Sequence, residues 1–205
     1  MVFLSKWRNL GHLFSVLLIA LTLSSCGGGG GSGPAPEGSL QVFNDGNVTM
    51  LQLFVTPSTS STWGVDQLAP KVLQPGVSIT LTGLYPGTYD VLADFSDGSS
   101  DRVFDVLVQD GLNTPLGMMN TGNGAVAIYN NSGLTIYGVY LTRGNATTWG
   151  PNQTNQPLYT GPEPLTLTGV SPGTYDLRVT FSNGGFADYR SITVTPGTIS
   201  TVQVN

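Results

Sequence analysis

Histidine and cysteine are almost missing from this chain: His12 and Cys26 are the only ones. Beyond residue 26 there is neither an imidazole nor a thiol. A Ser-His-Asp triad, a Cys-His pair and any zinc site built on those ligands are therefore excluded from the rest of the chain. A lone cysteine also excludes an internal disulfide. Lysine is nearly absent too. Lys71 is the single one past residue 26, on a turn-rich stretch beside Pro70 and Val72 that offers no buried pocket for a Ser-Lys pair. Charged residues make up only 9% of the chain. Of the basic residues, Lys6 and Arg8 lie near the start, leaving Lys71, Arg102, Arg143, Arg178 and Arg190 against all 12 acids. No basic patch is available to neutralise phosphates, which excludes nucleic acid as a partner and disfavours anionic lipid heads. What the chain has in quantity is Gly (28), Pro (13) and short apolar runs rich in Thr, Val and Tyr. That mixture favours strands and turns over helices.

The first 25 residues read as an export signal. Lys6 and Arg8 form a positive start, and Leu13 to Leu23 an apolar stretch too short to span a bilayer comfortably. The stretch ends in Leu23-Ser24-Ser25-Cys26, which resembles the lipobox of bacterial lipoproteins. The resemblance implies diacylglyceryl transfer to the Cys26 sulfur, cleavage before it, and acylation of the new amine. Each buried CH₂ contributes about 0.8 kcal/mol, so two or three acyl chains hold firmly where one does not. Residues 26–38 then form the lipidated cysteine and a Gly-rich tether, Gly27 to Gly31 followed by Ser32-Gly33-Pro34-Ala35-Pro36-Glu37-Gly38. Such a segment reaches roughly 20 Å on average and about 40 Å when stretched. By resemblance to the sorting rule of enteric bacteria, Gly rather than Asp after the cysteine implies the outer membrane, on its periplasmic face or the cell surface.

The remainder repeats itself at an offset of 86 residues without gaps. Trp63-Gly64 falls on Trp149-Gly150, and Thr80-Leu81-Thr82-Gly83 on Thr166-Leu167-Thr168-Gly169. Pro86-Gly87-Thr88-Tyr89-Asp90 falls on Pro172-Gly173-Thr174-Tyr175-Asp176. Two copies are too few for a solenoid, and each is large enough to fold around a modest core. Within a copy, alternating apolar runs are separated by Gly, Pro, Asn and Asp turns. Tyr175, Leu177, Val179 and Phe181 share one face of a strand while Asp176, Arg178, Thr180 and Ser182 share the other. Period two with one polar face predicts half-buried antiparallel strands. The spacing predicts an all-β chain of two tandem antiparallel β-sandwiches, with about seven short strands each. The expected organisation is a signal over 1–25, an anchor and tether over 26–38, a sandwich over 39–117, a linker over 118–124 and a second sandwich over 125–205.

Leu84-Tyr85-Pro86-Gly87-Thr88-Tyr89 resembles an L-x-P-G-x-Y pattern of small secreted sandwiches of the prealbumin-like or carboxypeptidase-regulatory type, and the repeat as a whole resembles Ig-like exported modules. The second copy has Val170 in place of the leucine. The likeness implies a fold class and no activity.

Three groups of residues are candidates for binding. Trp63 and Trp149 occupy equivalent loop positions beside a glycine; such a ring either stacks on a sugar or closes the open edge of its own sandwich. Phe54 and Tyr140 sit on the outward face of the second strand of each copy, a face open to a partner, to the other copy or to a covering loop. Asp94, Asp97, Asp101 and Asp105 cluster around one hairpin. They make a weak calcium site, since the second copy has Thr180, Asn183, Ala187 and Ser191 there and the spacing fits no calcium loop. The alternative is a solvated acidic edge that deters strand pairing. No cofactor is expected, and no catalytic set. The expected role is a membrane-anchored, non-enzymatic module, structural, adhesive or partner-binding, with a protein or glycan partner at the cell envelope. Carbohydrate binding through the loop tryptophans is the alternative.

Overall fold

A computed structural model describes residues 37–205. The export signal, Cys26 and most of the tether lie outside the described residues. Twelve strands follow one another: β1 Gly38–Asn44, β2 Met50–Pro57, β3 Ser78–Leu84, β4 Gly87–Phe95, β5 Ser100–Val108, β6 Asn113–Met118, β7 Gly124–Asn130, β8 Ile136–Arg143, β9 Leu165–Val170, β10 Gly173–Phe181, β11 Phe186–Val194 and β12 Ile199–Val204. Each half therefore contributes six strands where the turn spacing predicted about seven. The long stretches from Ser58 to Val77 and from Gly144 to Pro164 hold no strand of their own beyond isolated bridges such as Met50–Leu73 and Ile136–Leu158. With the exception of the start of β9, strand ends in the second half fall 86 residues after those in the first.

The strands make three sheets, in the orders β3-β1-β6, β11-β10-β8 and β12-β7-β9-β5-β4-β2. The expectation of wholly antiparallel sheets is corrected at three pairs. β1 runs parallel to β6, β7 to β12, and β5 to β9. The first two pairs join the first and last strands of a half. The chain between them is long enough to return in the same direction, as a parallel pair requires.

Two apolar clusters fill the fold. One gathers Leu40 and Val42 of β1, Met50 and Leu53 of β2, Val91, Ala93 and Phe95 of β4 and Met118 of β6, with Leu68 and Leu73 from the long loop. The other gathers Val126 and Ile128 of β7, Ile136, Val139 and Leu141 of β8, Leu167 of β9, Leu177 and Val179 of β10, and Val202 and Val204 of β12. Two first-half residues, Phe104 and Trp63, pack in this second cluster. The described residues accordingly belong to one compact unit.

Register shifts decide which side chains reach these cores. Strict alternation puts Leu51, Leu53 and Val55 on one face of β2. The register shifts between Met50 and Gln52, so Met50 and Leu53 are buried and Leu51 is 44% exposed. Tyr137 is likewise outside, while Ile136 and Val139 are inside. A second shift explains the Thr-Tyr-Asp motif. Opposite Asp90 the ladder is interrupted at Asp105, whose φ is 58°, and the Asp90 carboxylate accepts the Asp105 amide proton at 3.1 Å. Asp176 does the same for Ser191, whose φ is also 58°, at 3.0 Å. An extra residue in left-handed conformation leaves an unpaired amide, and the carboxylate satisfies it. The tyrosine before it closes the preceding turn, with the Tyr89 hydroxyl donating to the Tyr85 carbonyl and Tyr175 to Ser171. The most recognisable motif in the sequence is thus a folding device.

Candidate functional site

The two halves meet edge to edge. β5 of the first half lies beside β9 of the second, bridged at Arg102 and Val170. The Ser171 hydroxyl donates to the Arg102 carbonyl at 2.7 Å, and the Arg102 guanidinium donates to the Thr168 carbonyl. Gly169 sits against this edge with φ +69°, and a Cβ there would collide with the Ser100 carbonyl. Only glycine combines that backbone with that approach. Phe104 enters the second core and meets the Tyr175 ring edge-on at 5.7 Å between centroids. Arg143 lies 5.2 Å from the centroid of the same ring, and burial pushes the Tyr175 hydroxyl up to about 12.

Loops complete the contact. The Asn152 amide donates to the Ser61 carbonyl at 2.9 Å, and Gly150 leaves room for the Asp90 carboxylate, which a Cβ would approach to 2.5 Å. The connecting segment is pinned as well. Asp101 accepts the Met119 amide at 2.8 Å and the Asn123 side-chain amide at 2.9 Å. Asp90 and Asp101 are both buried, and that desolvation pushes each carboxyl up to about 6 against the hydrogen bonds that favour the anion.

Beyond this junction lies an open groove of about 320 Å³, lined by Thr59, Ser60 and Ser61 of the first half and by Tyr140, Trp149, Gly150, Arg178 and Thr180 of the second. Tyr140 on β8 pairs with Arg178 on β10, which puts both side chains on the outer face of that sheet. The Arg178 guanidinium lies 4.4 Å from the Trp149 ring and 4.2 Å from Phe186. Arg190 lies 4.9 Å from Trp149. Both arginines are paired. Arg178 donates from Nε and Nη2 to Asp188, and Arg190 from Nη1 to Asp176 and from Nη2 to Asp188. These contacts hold the Asp188 carboxyl below its usual range, the Arg178 hydrogen bonds contributing most. No hydrogen bond occupies Arg178 Nη1 or Arg190 Nε among the described residues, so each retains a donor. A groove with two aromatic rings, four hydroxyl side chains and a guanidinium can stack an apolar ring face and bond its polar rim.

The residues singled out in the sequence go to different places. Trp149 and Tyr140 come together in the groove. Trp63 is partly buried against the second core. Phe54 is half-buried on β2, paired with Leu92. The hairpin aspartates are not brought together as a metal site. Asp94 accepts from the Ser100 hydroxyl, Asp97 from Ser99 and Asn120, and Asp101 from Met119 and Asn123. No group of three acidic, His or Cys residues is placed to hold an ion among the described residues. Sequence reasoning missed Arg102, Phe104, Arg178, Asp188 and Arg190. The signal was available in the positions where the two copies differ, which the matching positions had overshadowed.

No family model matches the chain, and no curated protein matches it. Among solved structures, a leucine-rich repeat protein from Bacteroides thetaiotaomicron superposes with a TM-score of 0.32 at 13% identity, over 83% of this chain and 26% of that one. The tip fimbrial protein Mfa3 from Porphyromonas gingivalis, with C-terminal truncation, gives 0.26 at 13% identity, over 77% of this chain and 82% of that one. The likeness is weak, assigns no family, and goes no further than β-rich architecture.

Proposed function

We propose that this chain is an exported, acyl-anchored, non-enzymatic β module that presents a binding surface at the bacterial envelope. In this reading residues 39–117 and 125–205 are tandem sandwiches, Cys26 carries the acyl chains, and the outer membrane is the site of attachment. The role is structural or adhesive. The observation that carries it is the junction around Gly169, Arg102 and Phe104, which joins the halves into one body instead of two beads on a string. A rigid body on a soft tether suits the presentation of a surface, because ordering costs at the partner are small when the groove is already formed. The lack of His and thiol beyond residue 26 supports a binding role over hydrolysis.

A second reading, carbohydrate binding, has one specific observation in its favour. Trp149 and Tyr140 line the same groove as Arg178 and the hydroxyls of Thr59, Ser60, Ser61 and Thr180. Both readings are tested together. Mass spectrometry of the protein from its native membrane is expected to show a cleaved, acylated Cys26, and Cys26→Ser to release it into the soluble fraction. An intact unmodified N-terminus contradicts the anchor. A glycan array probed with the fragment from Gly33 onward, with Trp149→Ala and Tyr140→Ala as controls, decides the second reading. Binding lost in both variants supports it. Absence of any glycan signal removes it and leaves the protein-partner role.

A further inference from the structure

The internal junction uses one edge strand of each half, and the twin of each ends a sheet among the described residues. β5 of the first half docks on β9 of the second. By the 86-residue correspondence, β11 is the twin of β5 and β3 is the twin of β9. Both are end strands of their sheets. Such a contact is head-to-tail, so the same geometry can in principle continue beyond two copies.

The acceptor edge of the first half retains the form of the occupied one. Thr82-Gly83-Leu84 stands where the second half has Thr168-Gly169-Val170. Gly83 has φ +74° against +69° at Gly169. Around Gly169 the partner strand leaves no room for a Cβ. Around Gly83 only the Glu37 carboxylate comes near among the described residues, at 3.9 Å. Gly169 and Val170 are buried, whereas their twins Gly83 and Leu84 are exposed and half-buried.

The donor edge of the second half is rewritten. Leu92 and Phe104, buried at 7% and 4% exposure, become Arg178 and Arg190. Arg102, which donates across the junction, becomes Asp188, which has no proton to donate and is held by both arginines. Trp149 lies against those two guanidinium groups, where its twin Trp63 lies against the next core. Docking this face on a strand edge would strip water from a four-member ion-pair network and set Asp188 opposite a carbonyl.

We propose that Thr82–Tyr85 is an open acceptor edge for a partner protein presenting a β edge of β5 chemistry, and that Arg178, Asp188 and Arg190 close this chain's own second half to that role. Such a partner carries an arginine and an aromatic at alternate positions, as in Arg102 and Phe104. This very edge type already fills the twin site within the chain.

The test rebuilds the missing donor. In the fragment from Gly33 onward, Arg178→Leu on β10 with Asp188→Arg and Arg190→Phe on β11 restores the equivalents of Leu92, Arg102 and Phe104, so that a second copy of the chain becomes the occupant. Sedimentation velocity is expected to show a monomeric wild type and concentration-dependent oligomers of the triple variant. Gly83→Val in the triple background is expected to weaken association at least about tenfold, or 1.4 kcal/mol. A folded triple variant that stays monomeric at its solubility limit overturns the acceptor edge. Oligomers indifferent to Gly83→Val overturn it too, since they report apolar aggregation. Oligomers of the wild type overturn the closure of β11. Should the triple variant fail to fold, Asp188→Arg with Arg190→Phe alone gives the same readings.

Discussion

The outer face of β4 and β5 and the outer face of β10 and β11 have matching strands and the same bulge, yet they are finished in opposite ways. In the first half Arg102 and Phe104 reach the neighbouring half, and Leu92, paired with Arg102, is buried. In the second Arg178, Asp188 and Arg190 face water. The bulge aspartate follows its surroundings. Asp90 is buried with the Ser58 hydroxyl at 2.6 Å, and Asp176 takes an ion pair from Arg190 at 2.8 Å. One β framework thus serves as an interior junction or as an end face, depending on three or four outward side chains. That matches the logic of repeat proteins, whose terminal units carry a polar outer surface.

The comparison breaks most severely at the paired glycines. Gly169→Val meets both a left-handed φ and the Ser100 carbonyl, and is expected to cost about 3–5 kcal/mol in urea unfolding. Gly83→Val has the same φ with open space around it, and about 1–2 kcal/mol is expected from the backbone term alone. Equal losses at both sites would mean that the strand contact adds nothing. Next comes the pair Phe104 and Arg190. Phe104→Ala leaves a hole in the second core and is expected to cost about 3 kcal/mol. Arg190→Ala, on an exposed ion pair, is expected to move the unfolding midpoint far less than Phe104→Ala.

Acid sharpens the difference between the halves. Asp90 and Asp101 have folded-state pKa values pushed from 3.8 to about 6 by burial, so the folded protein holds more protons than the unfolded chain between those values. Stability from these groups is therefore full below about pH 4 and declines as pH rises through about 6, on the order of 2 kcal/mol for each group. Unfolding midpoints measured from pH 4 to 7 are expected to fall. Asp101→Asn, which keeps an acceptor for the Met119 amide, is expected to remove about half of that slope. A midpoint that rises over this range would show the two carboxylates ionised in the fold. The smallest expected effect is Trp149→Ala, below about 1 kcal/mol in stability because the ring lies on a solvent-facing ion network. Circular dichroism melts check this against Trp63→Ala, which removes a ring packed on a core and is expected to cost several times more.

Much of the architecture was legible in the sequence because period-two alternation and turn residues act locally. Tyr175 to Phe181 is the clearest case, and the 86-residue correspondence carried the reading from one half to the other. Register was not legible. The shift at Met50 depends on how β2 meets β4, and it moved Leu51 from the expected core face to solvent. Parallel pairing of β1 with β6 was equally hidden, since pairing direction is set by distant strands. At the candidate site, Trp149 and Tyr140 were visible as outward aromatics, but their meeting in one groove required the loop from Gly144 onward to fold back over β8. The role of Gly169 was invisible because both glycines follow the same Thr-Leu-Thr run and precede an aliphatic residue, and only the junction tells them apart.

Hydrogen exchange of the fragment from Gly33 onward, resolved strand by strand with and without Gly169→Val, bears most directly on the claim that the halves are one body. The slowest amides of β4 and of β10 are expected to open with a common free energy in the wild type. Gly169→Val should lower both and separate them. Two distinct opening free energies in the wild type, each unmoved by Gly169→Val, would contradict it.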